Sequence, residues 1–287
     1  MKYLVTGGSG FLGTHLCKKI IKQKHEVICL DNFYTSKYSN IKELQKNKNF
    51  KFIKHNVINP INLDIDGIFH LACPAAPFHY QKDPIFTSKT CFLGTLNMLN
   101  LANKNNVKLF LASTSEIYGD PKIHPQKETY FGNVNTTGIR SCYDEGKRIA
   151  ETLCMDFFRK NNTKIKIGRI FNTYGPNMTL DDGRVVSNFI IQALKNKDLT
   201  IYGDGNQTRS FCYVSDLIDG IYKLFNSKKE ITGPVNIGND NEFKIKKLAH
   251  LIKKRLNSKS KIIFKDLPND DPIQRKPDLK RIYKLIN

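Results

Sequence analysis

Gly7-Gly8-Ser9-Gly10-Phe11-Leu12-Gly13 is the stretch that decides the fold. An apolar run over 2–6 precedes it, and the apolar residues of 14–21 follow with helical spacing. A glycine turn between a buried strand and a helix lets the backbone turn sharply and approach a pyrophosphate, while the helix N-terminus supplies N–H donors. The stretch therefore predicts a dinucleotide-binding unit in which Gly7, Gly10 and Gly13 shape the turn.

Asp31 ends the second apolar run, 26–30, and stands 18 residues beyond Gly13. A carboxylate at that place accepts a hydrogen bond from a ribose 2′-hydroxyl and repels a 2′-phosphate. Asp31 therefore favours NAD over NADP as the cofactor.

Strand and helix patterns continue to alternate along the chain. Further strands are predicted over 50–53, 67–72, 107–111 and 165–170, and helices over 85–104 and 143–158. Repeated βα units imply a Rossmann-type, doubly wound parallel sheet, an α/β fold, with ligands bound beyond the C-terminal strand ends. The residues at those ends are Leu71, Ala72, Cys73, Ser113, Thr114, Ser115, Glu116, Asn172 and Thr173.

The sequence changes character after about residue 175, where loops rich in Gly, Asp and Asn alternate with short elements. Amphipathic helices are predicted over 214–225 and 245–256. We expect a Rossmann domain over 1–174 and a smaller substrate-binding lobe over 175–287, partly interleaved with the first.

Composition excludes several classes of protein. The net charge is +20, but the basic residues are spread through the chain rather than clustered, so we expect no nucleic-acid partner. No apolar run of about 18 residues is present, so we expect no membrane span. Seven scattered cysteines without a Cys-x-x-Cys pair predict free thiols and no metal site. Met1 leads almost directly into the first strand, which favours a cytoplasmic protein.

Tyr143 and Lys147 stand four residues apart in a helix pattern, so their side chains share a face. A nearby ammonium favours a phenolate and lowers the pKa of a tyrosine, which makes it a base for an alcohol proton. A Tyr and a Lys at this spacing are also common on exposed helix surfaces. The glycine turn in the same chain favours the catalytic interpretation.

The glycine turn and the Tyr143/Lys147 pair together resemble the extended short-chain dehydrogenase/reductase superfamily. Longer strings resemble the UDP-glucuronate decarboxylase (UDP-xylose synthase) family within it, over about 3–280. These strings are His70–Pro77, Ser113–Pro121, Ser141–Arg148, Arg169–Pro176, Asp182–Asn188, Tyr202–Gly205, Gln207–Val214 and Arg275–Pro277.

The resemblance implies an enzyme that decarboxylates UDP-glucuronate to UDP-xylose with tightly bound NAD. The C4 hydroxyl is oxidised, the resulting β-keto acid loses CO₂, and the same cofactor reduces C4 again. In that reaction Tyr143 is the base, Lys147 lowers its pKa, and Thr114 or Ser115 binds the C4 oxygen. Glu116 orients the sugar or a water near C5, and Arg275 faces the carboxylate; a structural carboxylate and a loop arginine are the alternatives.

The resemblance also implies sets of binding residues. Cofactor contacts are expected from Gly7, Gly10, Phe11, Leu12, Gly13, Asp31, Asn32, Asn56, Val57, Leu71, Ala72, Cys73, Thr90, Ser113, Tyr143, Lys147 and Thr173. Substrate contacts are expected from Lys89, Asn97, Tyr143, Asn172, Arg184, Tyr202, Arg209 and Arg275. Arg184 and Arg209 are candidate diphosphate ligands because guanidinium binds such oxygens bidentately. Tyr202 is a candidate to stack on uracil, and solvated or packed side chains are the alternative for these residues.

Three further hypotheses concern activity and assembly. A UDP-sugar 4-epimerase or 4,6-dehydratase is the alternative enzyme, and a non-catalytic NAD-binding module is the distant alternative. A dehydratase is expected to carry an Asp-Glu pair where this chain has Ser115-Glu116. The wide apolar surfaces of 85–104 and 143–158 predict a homodimer.

Overall fold

The computed structural model describes residues 1–179, 183–228, 230–266 and 274–286. Its strands are β1 (Lys2–Thr6), β2 (Glu26–Asp31), β3 (Phe50–Lys54), β4 (Gly67–His70), β5 (Lys108–Thr114), β6 (Ile165–Ile170), β7 (Thr173–Tyr174), β8 (Leu199–Tyr202), β9 (Thr208–Ser210), β10 (Cys212–Tyr213), β11 (Val235–Ile237), β12 (Glu242–Lys244), β13 (Ile262–Lys265) and β14 (Gln274–Arg275). Its helices are α1 (Phe11–Lys22), α2 (Pro77–Tyr80), α3 (Pro84–Lys89), α4 (Thr95–Lys104), α5 (Ser141–Asn161), α6 (Val185–Leu194), α7 (Val214–Asn226), α8 (Ile245–Arg255) and α9 (Lys280–Ile286). Asp182, the first residue of the Asp182–Asn188 string, lies outside the described residues.

A seven-stranded parallel sheet in the order β3-β2-β1-β4-β5-β6-β11 forms the centre of the described structure. Parallel strands need crossovers, and helices supply most of them. The Rossmann-type fold expected from the alternating pattern is confirmed.

The two faces of the sheet bury separate apolar cores. Tyr3 and Val5 of β1 face a core that includes Leu16 of α1 and Leu217 of α7. Leu4, on the opposite face of the same strand, packs in a core with side chains of α4 and α5. Successive strand side chains alternate between faces, so one short apolar run contributes to both cores. Each fully buried side chain of this kind stabilises the fold by about 1.5–3 kcal/mol.

The helix predicted over 85–104 is interrupted. Its α-helical parts are α3 and α4, and Thr90–Gly94 between them forms a π-helical segment. The Thr90 hydroxyl donates to the carbonyl of Phe86 at 2.8 Å, a back-bond that accompanies helix distortion. The expanded segment sets Thr90 and Cys91 into the interior beside the carboxyl ends of β4 and β5, where the site lies.

The C-terminal part of the chain supplies elements to both lobes. A third apolar core joins α6, α8 and β8 in the smaller lobe. Beyond the boundary predicted at residue 174, however, α7 packs on α1 and β11 pairs with β6 in the main sheet. The interleaving is therefore extensive, and the boundary itself stays a prediction. Within the described ranges, no helix is both long and apolar enough to cross a bilayer.

Candidate active site

A cavity of about 610 Å³ opens at the carboxyl edge of the sheet, between the two lobes. Most of the predicted site residues line it, and they come from the carboxyl ends of β1 to β6, from the start of α1, from the π-helical segment, from α5 and from the smaller lobe. Those residues are Gly7, Gly10, Phe11, Leu12, Gly13, Asp31, Asn32, Asn56, Val57, Leu71, Ala72, Cys73, Thr90, Ser113, Thr114, Ser115, Glu116, Tyr143, Lys147, Asn172, Thr173, Arg184, Tyr202, Arg209 and Arg275.

The glycine turn forms a cradle that side chains would fill. Gly7 has φ +68°, and a Cβ there would lie 2.9 Å from the backbone N of Ala72. A Cβ on Gly13 would clash with the backbone of Gly7 and Gly8. Because Gly13 has no side chain, α1 can start close against β1. The cradle leaves the N-terminus of α1 facing the cavity, where oriented N–H groups can hold a pyrophosphate.

The Asp31 carboxylate holds the turn and the following loop in place. Its oxygens accept from the backbone N–H of Ser9 at 3.1 Å and of Phe33 at 2.9 Å, and from the Ser36 hydroxyl at 3.0 Å. Asn40 also donates to the Ser9 carbonyl at 2.9 Å. Asp31 is 8% exposed and lines the cavity, so it is positioned to meet a ribose there.

Tyr143 and Lys147 share a face of α5 and both line the cavity from its first two turns. Burial, reinforced by the charge of Cys73, raises the pKa of Tyr143 well above its ordinary value, against a hydrogen bond with Thr114 that lowers it. The Lys147 Nζ donates to the carbonyl of Ala112 at 2.9 Å and lies 5.8 Å from the centroid of the Tyr143 ring. Burial is thus the largest influence on the pKa of Tyr143 in this arrangement, and a lowering by Lys147 stays a prediction.

Tyr80 supports the ring of Tyr143. The two rings are parallel, with centroids 5.0 Å apart and planes inclined by 3°. The guanidinium of Arg140 lies 6.0 Å from the centroid of the Tyr80 ring. The phenol of Tyr143 is thus held in place by α2 and by the residue that precedes α5.

Glu116 lies between two arginines in the short 3₁₀ turn after β5. Its Oε2 accepts from Arg140 Nη2 at 2.5 Å, and its Oε1 accepts from Arg275 Nη1. Both arginine side chains are largely buried, as is the carboxylate. Arg275 Nε is buried and has no hydrogen-bond partner among the described residues, while the Arg275 residue as a whole lines the cavity.

Two neighbouring strands position the arginines of the smaller lobe. β14 pairs in parallel with β9, so Arg275 stands beside Arg209. Arg184 precedes α6, and Tyr202, at the end of β8, is 44% exposed at the rim. The cavity therefore has a glycine turn at one end and guanidinium groups at the other, as a nucleotide with two phosphates and a carboxylate requires.

The structure does not bring Lys89 or Asn97 into the cavity. The Lys89 side chain is exposed at the end of α3, and the Asn97 amide donates to the carbonyl of Val57 at 2.9 Å. Asn97 thus supports a cavity residue from behind, and a substrate contact by either residue has no support in this arrangement.

Arg140 and Tyr80 were missed by the sequence reasoning. Arg140 directly precedes the Ser141–Arg148 string, and Tyr80 follows the His70–Pro77 string by three residues. Their proximity to these strings was the available signal, but their contacts with Glu116 and Tyr143 span 24 and 63 residues of chain.

Comparison with known proteins gives concordant matches. The model of the NAD dependent epimerase/dehydratase family matches residues 3–238. UDP-glucuronic acid decarboxylase 4 of Arabidopsis thaliana is 51% identical over 286 residues, which cover 100% of this chain and 64% of that protein. UDP-glucuronic acid decarboxylase 5 of the same plant is 50% identical, over 100% of this chain and 84% of its own length. This chain spans only 64–66% of the length of three of the Arabidopsis relatives.

A solved structure with the same fold carries both a cofactor and a sugar acid. The UDP-glucuronic acid 4-epimerase of Bacillus cereus, in complex with UDP-glucuronic acid and NAD, superimposes with a TM-score of 0.90. It is 31% identical, and the match covers 100% of this chain and 93% of that one.

Proposed function

This chain belongs to the NAD dependent epimerase/dehydratase family, and on that premise we propose that it is an NAD-dependent UDP-glucuronate decarboxylase. The names of its relatives and the chemistry of the cavity support this activity. The single observation that carries the proposal is the clamp of Glu116 between Arg140 and Arg275 in the cavity that also holds Tyr143.

The residues of the glycine turn fit NAD. Gly7, Gly10 and Gly13 form a cradle at the N-terminus of α1 that can accept a pyrophosphate. Asp31, at the end of β2, would accept from a ribose hydroxyl. When bound, NAD supplies hydride acceptance and return at the sugar C4 and a positive ring beside the phenol of Tyr143.

Tyr143 has the role of base toward the C4 hydroxyl. Burial raises the pKa of Tyr143, so its phenol is protonated at neutral pH in this structure. Phenolate formation therefore depends on positive charge brought near it. Thr114 is the hydrogen-bonding neighbour of the phenol and can share the C4 oxygen with it. Lys147 contributes positive charge from 5.8 Å and holds the end of β5 through Ala112.

Glu116, Arg140 and Arg275 act in the decarboxylation step. Oxidation at C4 makes the sugar a β-keto acid, whose C–CO₂⁻ electrons flow into the C4 carbonyl as CO₂ leaves. Arg275 lines the cavity beside Glu116, where its positive charge can attract the substrate carboxylate. Glu116, with both oxygens held by guanidinium groups, orients the sugar or a water for return of a proton to C5. Reduction at C4, with a proton returned by Tyr143, then gives UDP-xylose.

The alternative enzyme acts on the same substrate. A UDP-glucuronate 4-epimerase oxidises C4 in the same way but keeps the carboxylate, as the name of the B. cereus structure indicates for that protein. Epimerisation needs no group that returns a proton to C5, and so leaves Glu116 between Arg140 and Arg275 without a role in the reaction.

One incubation separates the two activities. NAD-loaded protein is mixed with UDP-glucuronate, and CO₂ release is followed together with the UDP-sugars. We expect CO₂ and UDP-pentose in equal amounts. Release of no CO₂ by folded, NAD-loaded protein contradicts decarboxylation, and appearance of UDP-galacturonate assigns the epimerase activity instead.

We also propose that the enzyme is a homodimer and works in the cytoplasm. Ile85, Phe92 and Ile149, on helices near one another in the fold, are 69%, 40% and 38% exposed, which leaves apolar surface for a second copy. All seven cysteines are free, as in a reducing compartment. Light scattering at micromolar concentration is expected to give the mass of two chains; a monomer there contradicts the dimer.

A further inference from the structure

Two cysteine sulfurs meet in the wall of the cavity. The Sγ atoms of Cys73 and Cys91 lie 3.3 Å apart and share a hydrogen bond. Cys73 follows β4, is half-buried and lines the cavity. Cys91 lies behind it in the π-helical segment and is 2% exposed. Small molecules that enter the cavity therefore reach Cys73 first.

The charges around the pair give the two thiols different roles. Burial acts to raise the pKa of Cys73, but the hydrogen bond from Cys91 and the Lys147 ammonium bring it below its ordinary value. The same hydrogen bond, together with burial, raises the pKa of Cys91 well above its ordinary value. Cys73 is thus the more acidic thiol of the pair and Cys91 the one that holds its proton more tightly, which is the arrangement of an attacking and a resolving cysteine.

We propose that Cys73 and Cys91 form an oxidative modification site, at which a hydroperoxide converts the two thiols into a disulfide across the cavity wall. The Cys73 thiolate attacks one peroxide oxygen and breaks the O–O bond, which gives a sulfenic acid and, after protonation, water. Cys91 then attacks the Cys73 sulfur, its proton leaves with the hydroxyl as a second water, and the S–S bond forms. Two thiols are oxidised and one hydrogen peroxide is reduced to two waters.

The disulfide would pull together two parts of the cofactor cavity. A disulfide bond is about 2.05 Å long, so the sulfurs approach each other by about 1.2 Å. Cys73 follows Ala72, and the backbone of Ala72 lies close against Gly7 in the glycine turn, where a Cβ on Gly7 would be only 2.9 Å from the Ala72 N. Cys91 contacts α5 at Gly146, where a Cβ would lie 3.0 Å from its Sγ, between Tyr143 and Lys147. Oxidation therefore disturbs the glycine cradle and the catalytic helix together.

A second cysteine pair in the same chain provides an internal comparison. Cys17 and Cys29 also interact through a hydrogen bond, but both are 0% exposed and neither lines the cavity. Burial raises the pKa of Cys17 well above its ordinary value. This pair has neighbouring sulfurs without access from the cavity, so it is expected to stay reduced.

The test treats the full folded chain with a small excess of hydrogen peroxide, blocks the remaining thiols and maps the peptides by mass. We expect a single cross-link between the peptides of Cys73 and Cys91, which disappears after dithiothreitol, while Cys17 and Cys29 carry the blocking group. A reduced Cys73, an over-oxidised Cys73 without a cross-link, or equal oxidation of Cys17 and Cys29 overturns the proposal.

Cys91→Ser separates attack from resolution. In that variant oxidation of Cys73 is expected to stop at the sulfenic acid, which a 1,3-diketone labels, whereas the wild type forms the disulfide. If the variant shows no label on Cys73, the assignment is overturned. Turnover is measured separately. Oxidation is expected to lower turnover by about 100-fold, because the cavity wall at Cys73 and Cys91 shifts by about 1 Å, and dithiothreitol is expected to restore it. Because mass mapping requires no substrate, failure of the proposed decarboxylase activity leaves the modification result readable.

Discussion

The ring of Tyr80 lies parallel to the ring of Tyr143, with their centroids 5.0 Å apart and their planes inclined by 3°. Tyr80 is 1% exposed, and its hydroxyl has no partner among the described residues. Its contribution to the site is therefore the face of its ring, which holds the Tyr143 phenol in place. Tyr143 lines the cavity, whereas the hydroxyl of Tyr80 is buried, so removal of each hydroxyl can be compared in otherwise similar variants.

Tyr143→Phe should abolish oxidation at C4 while leaving NAD bound. The variant keeps the stacked ring and loses only the group that takes the proton, so turnover is expected to fall by about 10²–10⁴-fold. The measurements are the rate of product formation from UDP-glucuronate and the NAD content of the purified protein.

Tyr80→Phe is the control for that substitution. It removes an unpartnered hydroxyl and keeps the stacking, so turnover should stay within a few-fold of the wild type. Retained activity in Tyr143→Phe, or an equal loss in both variants, argues against Tyr143 as the base.

Arg140→Met should slow turnover with little change in NAD content. Arg140 holds one oxygen of Glu116 at 2.5 Å, and without it the carboxylate pivots about Arg275. Displacement of a positioned group by about 1 Å can cost 100-fold, so we expect kcat to fall by about tenfold to 100-fold, with KM affected less.

Arg159→Met serves as the matched control. Arg159 pairs with Asp156 on an exposed part of α5, and such surface pairs are worth about 0–1 kcal/mol. Its kinetics should match the wild type. An unchanged kcat in Arg140→Met contradicts the positioning role of Arg140.

Gly13→Ala and Gly10→Ala should separate stability from cofactor binding. A Cβ on Gly13 would lie 2.6 Å from the Cα of Gly8, so α1 must shift, at a cost of about 1–3 kcal/mol in the free energy of unfolding. A Cβ on Gly10 meets only the Gly7 carbonyl, at 3.2 Å, and faces the cofactor end of the cavity.

Urea unfolding and NAD titration measure the two effects. Gly10→Ala is expected to weaken NAD binding with the free energy of unfolding nearly unchanged, and Gly13→Ala to lower both. Normal NAD affinity in both variants counts against the glycine turn as the cofactor site.

The stability of the protein should fall as the pH drops below about 6.5, partly because of His70. Burial, with a smaller effect of the Lys147 ammonium, lowers the pKa of His70 to about 3 from an ordinary value of 6.5. Between these values the unfolded chain binds a proton at His70 and the folded chain does not, so acid favours unfolding. At pH 5 this linkage lowers the free energy of unfolding by about 2 kcal/mol relative to pH 7.5.

His70→Gln should remove that component. Urea unfolding at pH 7.5 and pH 5 is expected to give a smaller pH-dependent loss in the variant than in the wild type, by about 2 kcal/mol. His250→Gln, at an exposed position on α8, controls for the loss of a histidine. Equal losses in all three proteins contradict the assignment to His70.

Local sequence patterns predicted the sheet and the main features of the site, because these features depend on the residues within a single segment. The glycine turn, the buried strands and Tyr143 all carry signals within a few residues. The π-helical Thr90–Gly94 was not predicted, since the apolar spacing of this segment does not distinguish a π-helical turn from an α-helical one. The return of β11 to the main sheet was missed for a similar reason, because a three-residue strand gives little pattern and its partner β6 lies 65 residues earlier.

The charge arrangement was the least predictable feature. Sequence reasoning placed Glu116 and Arg275 together only through resemblance, and it missed Arg140, whose contact with Glu116 depends on the path of residues 119–140. It also assigned the Tyr143 pKa from the nearness of Lys147 in sequence, whereas burial, a property of the folded cavity, dominates. Lys89 shares α3 with the cavity residue Phe86 but is exposed, and Asn97 bonds to the carbonyl of Val57, which helix periodicity alone did not resolve.

The most direct test of the account is a proton NMR experiment on the NAD-loaded protein with UDP-glucuronate in D₂O. We expect release of CO₂ and a UDP-xylose that carries one deuterium at C5 and protium at C4, since C5 takes its proton from solvent and C4 regains its own hydrogen. A UDP-hexuronate that keeps its carboxylate, whether unchanged or inverted at C4, contradicts the central claim.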